Sequence, residues 1–181
     1  MSAAAPLSKG QSVTKTLHSE PYPAVSPLRP EVSQAGRTIL ITGGATGIGF
    51  ATARAFAQAG AATVVIAGRR ADVIESAVSK LSSEFASRSL QVLGLSCDVG
   101  DSSSIDALWT SLREKGLTID TLVLSAGMVS GAKPILEVGA DGVSAGLLIN
   151  LHGHVRLVER LYKQEGRDPS KRLVGVPGTL N

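Results

Sequence analysis

Three groups of residues in this 181-residue chain have types and spacings suited to chemistry. The first is Thr42-Gly43-Gly44-Ala45-Thr46-Gly47-Ile48-Gly49. Glycine at 43 allows a tight turn, at 47 a close backbone approach to a phosphate, and at 49 close packing of a helix on a strand. A helix beginning here turns its free N–H groups and the positive end of its dipole toward a pyrophosphate. Thr42, Gly43, Thr46, Gly47, Ile48 and Gly49 are therefore candidate cofactor-binding residues. The alternative is a glycine-rich turn with no ligand.

The second group, Ala67-Gly68-Arg69-Arg70, follows about 20 residues later, where a site for NAD usually places a carboxylate for the ribose 2′-OH. Arg69 instead offers a planar, permanently charged fork that suits a 2′-phosphate and can stack on adenine. NADP is the expected cofactor, ahead of NAD. Arg70 reads equally as a solvated surface charge. The third group is Cys97-Asp98-Val99. Asp98 could accept the adenine amino group at the carboxyl end of a sheet, where ligands bind in such folds. Cys97 reads as a small buried hydrophobe, and Asp101 as the cap of the next helix.

Other polar groups carry less. His152 and His154 would need a third, suitably spaced ligand to hold a metal, and none is found, so no metal site is expected. Residues two apart on a helix face different ways, so one histidine is expected at an interface and one exposed. Arg156 and Arg160 read as solvated charges, and Trp109 as core or rim packing.

These groups need elements to position them. Residues 38–41 form a short apolar, β-branched run suited to a strand buried on both faces. Residues 48–57 read as a helix with Ile48, Ala51 and Ala55 at helical spacing, stopped by Gly60. A strand at 63–67 and a helix at 72–85 follow, the latter with Val73, Ala77, Val78, Leu81 and Phe85 on its apolar side. Then come a strand at 90–95, a helix at 103–112 and a strand at 120–124. After a glycine-rich loop, a long helix is predicted over about 141–165, and a fifth strand over 172–176. Such alternation predicts a doubly wound, parallel α/β sheet of Rossmann type, incomplete on its C-terminal side. Residues 37–181 are read as the nucleotide-binding domain. Residues 1–36 hold five of the eight prolines and six serines, and read as a flexible arm.

Taken together, these residues resemble the classical short-chain dehydrogenase/reductase family over 37 to about 176. Thr42 to Gly49 match its Thr-Gly-(three residues)-Gly-Ile-Gly loop, and Asp98-Val99 its Asp-Val pair. Leu124-Ser125-Ala126-Gly127 matches the end of its Asn-Asn-Ala-Gly motif, with Ser125 replacing the second asparagine. Asn150 matches its helical catalytic asparagine. The arm, with His18-Ser19-Glu20-Pro21-Tyr22-Pro23, is similar to the extension of fungal members.

The resemblance implies that Ser125, Ala126 and Gly127 bind the cofactor and that Asn150 is catalytic. It implies reduction of a carbonyl, or oxidation of an alcohol, on a small organic molecule. The family's proton-transferring Tyr-x-x-x-Lys has no match here: Tyr22 is followed at that distance by Ser26, and Tyr162 by Gly166. The family serine is expected after the fifth strand, where the chain reads Pro177-Gly178-Thr179. An oxidoreductase is thus the leading expectation. A nucleotide-binding pseudo-enzyme, an interaction subunit or a truncated gene product stays open, as do homo-oligomers and pairing with an intact relative.

Composition narrows the partners. With 43% hydrophobic and 18% charged residues the chain is globular in type. A net charge of +3 with only 3% aromatic residues argues against a base-stacking nucleic-acid surface. No apolar run approaches the ~18 residues of a membrane span, and the N-terminus lacks the apolar region of a signal peptide. One cysteine excludes a disulfide framework and fits a reducing compartment. No nucleic-acid or membrane partner is expected, and the location expected is cytoplasmic.

Overall fold

The computed structural model describes residues 22–129 and 133–166 and the strand at 175–177. Its centre is a five-stranded, all-parallel sheet in the order β3-β2-β1-β4-β5. The strands are β1 (Thr38–Thr42), β2 (Thr63–Gly68), β3 (Gln91–Ser96), β4 (Thr121–Leu124) and β5 (Gly175–Pro177). Between them lie α1 (Gly47–Gln58), α2 (Ala71–Glu84) and α3 (Ser102–Glu114). From β4 the chain runs through α4 (Ile135–Leu147), a π-helical turn (Leu148–Gly153) and α5 (His154–Lys163).

Side chains alternate across β1 and so divide the core in two. Ile39 and Ile41 pack with Val64, Ile66, Ala53, Ala57, Ile74, Ala77 and Leu81, beneath α1 and α2. Leu40 packs with Val65, Leu122, Ile105, Leu108, Leu112, Leu157 and Leu161, beneath α3 and α5. The central strands are buried on both faces, as a parallel sheet covered by helices requires. The predicted architecture is therefore observed. The strand order reverses between β1 and β4, and that reversal opens a crevice at the strands' carboxyl ends.

Several local expectations are corrected. The buried positions of α1 are Gly49, Ala53 and Ala57, whereas Ile48 is 53% exposed. The apolar Ile48 faces the crevice, so periodicity counted from it was out of phase. In α2 the buried set is Ile74, Ala77 and Leu81, with Val73 and Val78 half-buried. The long helix begins at Ile135, six residues before the expected 141. A left-handed glycine at Gly139 (φ 67°) kinks it, and a π turn divides it.

Asp120 lies just before β4 and accepts the Thr38 N–H at 2.9 Å, tying β4 to the start of β1. Of the expected fifth strand, residues 172–174 lie outside the described residues. In the predicted arm, residues 22–36 include two 3₁₀ turns, Pro23–Val25 and Pro30–Val32. Gln34 then donates its N–H to the Ala59 carbonyl at 2.9 Å, setting the arm's end against the α1–β2 connection. Arg156 and Arg160 are not free solvated charges. Both guanidinium groups close on the single carboxylate of Asp106, at 2.7 and 2.6 Å. Arg156, first among the causes, holds that carboxyl below its ordinary value.

Candidate functional site

The crevice is a cleft of about 770 Å³, within the range of small-molecule sites. Gly43, Thr46, Gly47, Ile48 and Gly49 line one wall, and Gly68 to Arg70 one end. Cys97, Asp98 and Val99 lie along it, and Ser125 to Val129 form the opposite wall. Of the residues proposed from sequence, the structure gathers all but Thr42 and Asn150 along this one surface.

Three glycines of the first loop have separate physical reasons. Gly43 is left-handed (φ 66°), and a Cβ there would stand 2.8 Å from the Ala126 nitrogen. At Gly49 a Cβ would fall 2.2 Å from the Gly43 carbonyl oxygen, so only glycine lets α1 begin so close under the turn. Gly47 is also left-handed (φ 51°), but a Cβ there would meet nothing within 4 Å. Its glycine answers to backbone conformation and to open space on the cleft side. Thr46 occupies the N-cap position of α1, yet its hydroxyl makes no cap bond. The first turn of α1 thus keeps its N–H groups and that hydroxyl for a ligand.

Thr42 does not line the cleft. It is fully buried, donates from Oγ1 to the Val123 carbonyl (3.3 Å) and accepts there from the Ala126 N–H (3.4 Å). With its carbonyl taking the Ser125 N–H at 3.2 Å, Thr42 fastens the two walls together. Arg69 and Arg70 are both exposed at the mouth. Asp98 accepts the Gly100 N–H at 2.9 Å, and its own N–H donates to the Ser104 hydroxyl at 2.9 Å. Asp101 caps α3 by accepting from the Ser103 N–H, and the Ser103 hydroxyl, then that N–H, hold its carboxyl below the ordinary value. Cys97 is buried beneath the cleft floor, and that burial pushes its thiol up to about 11.

Asn150 sits in the π turn, behind the wall. Its Oδ1 accepts the Met128 N–H at 2.8 Å and its Nδ2 donates to the Met128 carbonyl at 2.7 Å. His152 is exposed, while His154 is half-buried with Nε2 2.9 Å from the Ala126 carbonyl. Sequence reasoning missed the cleft residues Met128, Val129 and Ile149, for which apolar type alone gives no signal, and the link from His154.

The residues present fit a dinucleotide. Two left-handed glycines, a helix start with an uncommitted hydroxyl and an open approach at Gly47 suit a pyrophosphate. Arg69 and Asp98 line the same cleft and offer a cation and a carboxylate. Fold and cleft together define a nucleotide-binding protein of the doubly wound class. A family model for short chain dehydrogenase matches residues 37–172. The chain belongs to the short-chain dehydrogenase family.

Its relatives include the short chain dehydrogenase pigC of Monascus ruber, 32% identical over 78% of this chain and 46% of that protein. The NADP-dependent 3-hydroxy acid dehydrogenase of Schizosaccharomyces pombe is 32% identical over 65% of this chain and 44% of its own. Among solved structures, L-sorbose reductase from Gluconobacter frateurii, complexed with NADPH and L-sorbose, is 30% identical with a TM-score of 0.65. That match covers 71% of this chain and 47% of the other. The chain spans about half the length of the relatives it matches. No helix among the described residues is long and apolar enough to cross a membrane.

Proposed function

We propose that this protein is an NADP(H)-dependent oxidoreductase that reduces a carbonyl, or oxidises an alcohol, on a small organic substrate. The observation that carries the reading is the position of Arg69. It follows β2 directly and opens on the same cleft as Gly47, with no carboxylate between 67 and 70. A site committed to NAD places an acid there, and a guanidinium favours a 2′-phosphate. The NADP-dependent yeast relative and the NADPH-complexed sorbose reductase support the same choice.

When bound, the nicotinamide supplies the hydride. The chain's own part is to hold and orient. The N–H groups at the start of α1 and the Thr46 hydroxyl take the pyrophosphate, Arg69 the 2′-phosphate, and Asp98 the adenine amino group. Ser125, Ala126 and Gly127 form the facing wall, and Asn150 keeps that wall in place through Met128. Proton transfer at the substrate oxygen takes an acid–base group, and the family's Tyr-x-x-x-Lys has no match in residues 1–181. Cofactor binding is therefore the part of the activity that these residues carry. A reducing, cytoplasmic setting suits a protein whose single thiol is buried. Titration of the purified chain with NADPH and with NADH, before and after Arg69→Ala, tests the cofactor reading.

A further inference from the structure

We propose that His154 is a positioning residue of the nucleotide cleft, acting through the Ala126–Gly127 peptide; this rests on the cofactor reading above. The wall after β4 is an irregular segment, so its backbone polar groups need partners outside any ladder. Thr42 serves the Ser125 and Ala126 N–H groups, and Asn150 serves both polar atoms of Met128. The Ala126 carbonyl between them is taken by His154 at 2.9 Å. An acceptor carbonyl requires the proton on Nε2, which the neutral Nε2–H tautomer and the imidazolium both supply.

The bond controls more than one carbonyl. In a trans, planar peptide the C=O and the following N–H point opposite ways. Holding the Ala126 C=O back toward the helix therefore turns the Gly127 N–H away from it, and Gly127 is exposed on the cleft surface. Among the described residues that N–H has no protein acceptor. His154 thus sets the direction of a donor on the cleft wall.

The backbone around the histidine is built for this reach. A Cβ on Gly153 would fall 1.9 Å from the Val99 carbonyl oxygen, so the π turn rests directly against the segment after β3. That contact leaves His154 little freedom to retreat from Ala126. One helical passage, Asn150 to His154, therefore braces the wall formed by Ala126 to Met128 while leaning on the cleft floor at Val99.

The test compares His154→Phe, which keeps the ring bulk and removes the donor, with His154→Gln, which restores an N–H on a side chain of comparable reach. NADPH dissociation constants and amide hydrogen exchange over 125–129 are measured on the 181-residue chain, with thermal unfolding as the check on folding. One net hydrogen bond corresponds to roughly a threefold to tenfold change in affinity. His154→Phe is expected to weaken NADPH by that factor and to speed exchange at 125–129. His154→Gln is expected to stay within about twofold of the parent in affinity and to match its exchange. Equal behaviour of the Phe variant and the parent, or equal loss in both variants, overturns the proposal. If the parent chain itself fails to bind NADPH, the cofactor reading falls, and the exchange comparison without ligand still decides whether His154 orders this wall.

Discussion

Gly43 and Gly49 stand so close that a Cβ on Gly49 would lie 2.2 Å from the Gly43 carbonyl oxygen. The turn that ends β1 and the first turn of α1 are thereby one unit. The glycines of this loop are not interchangeable: Gly43 is required by Ala126, Gly49 by Gly43, and Gly47 by its own left-handed backbone.

Gly47 and Gly49 should separate binding from folding. The Cβ of a valine at Gly47 would meet nothing within 4 Å, but the residue must adopt a left-handed backbone, at a cost of about 1–2 kcal/mol. Its side chain would stand where a phosphate must come. Gly47→Val is expected to abolish NADPH binding while the chain still unfolds cooperatively. Gly49→Ala drives a methyl into a backbone carbonyl, and such overpacking costs about 1–3 kcal/mol or more. It should lower both the unfolding midpoint and the affinity. Thermal unfolding beside NADPH titration checks the pair, and equal effects from the two substitutions would refute the division.

Asp106 should govern acid stability on the α3–α5 face. Arg156 and then Arg160 hold its carboxyl below the ordinary value in the folded chain. The sign follows from that depression. The pair stabilises fully above the unfolded carboxylate pKa of about 3.9 and is lost as pH falls through the lower folded value. Asp106→Asn is expected to flatten the unfolding midpoint's decline below about pH 4, and to leave a smaller salt dependence at pH 7. Parallel acid limbs for parent and variant would show that the ion pair contributes nothing.

Cofactor binding and turnover should also separate in residues 1–181. Among the described residues, the titratable groups lining the cleft are Arg69, Arg70, Cys97 and Asp98. Arginine keeps its proton at any working pH, and burial raises the Cys97 thiol to about 11. General acid–base catalysis is worth roughly 10²–10⁴-fold; Asp98 is engaged by the Gly100 N–H, and the family's Tyr-x-x-x-Lys has no match in these residues. NADPH is expected to bind, with its oxidation in the presence of ketones and aldehydes no faster than the blank. Robust turnover would mean that Asn150, Tyr162 or Thr179 has a role in proton transfer.

The glycine loop could be read from sequence because most of its demands are local: left-handed backbone at Gly43 and Gly47 and the close contact of Gly49 with Gly43, with only the Gly43–Ala126 approach coming from a distant segment. The place of Arg69 and Asp98 on the cleft was legible because strand ends can be located by hydrophobic runs, and the cleft lies at the carboxyl ends of the strands. The segment from β4 to α5 was less so. Gly139, Gly142 and Gly146 interrupt its apolar pattern, and a π turn changes the repeat that the pattern is counted against. The closure of Arg156 and Arg160 on Asp106 links residues 50 and 54 positions apart. Only the packing of α5 beside α3 brings them together. Residue type marked Thr42 as part of the ligand loop, but its place as the last residue of β1 turns its hydroxyl inward to β4.

The claim that this cleft is built for a 2′-phosphorylated nicotinamide dinucleotide is tested most directly by one ratio, the affinity for NADPH over that for NADH. A charge-assisted bond from Arg69 is worth roughly 1.5–3 kcal/mol, or about tenfold and more in affinity. The unmutated chain is expected to show that preference, and Arg69→Ala to lose most of it by weakening NADPH alone. Equal affinities in the unmutated chain, or a preference untouched by Arg69→Ala, would contradict the account.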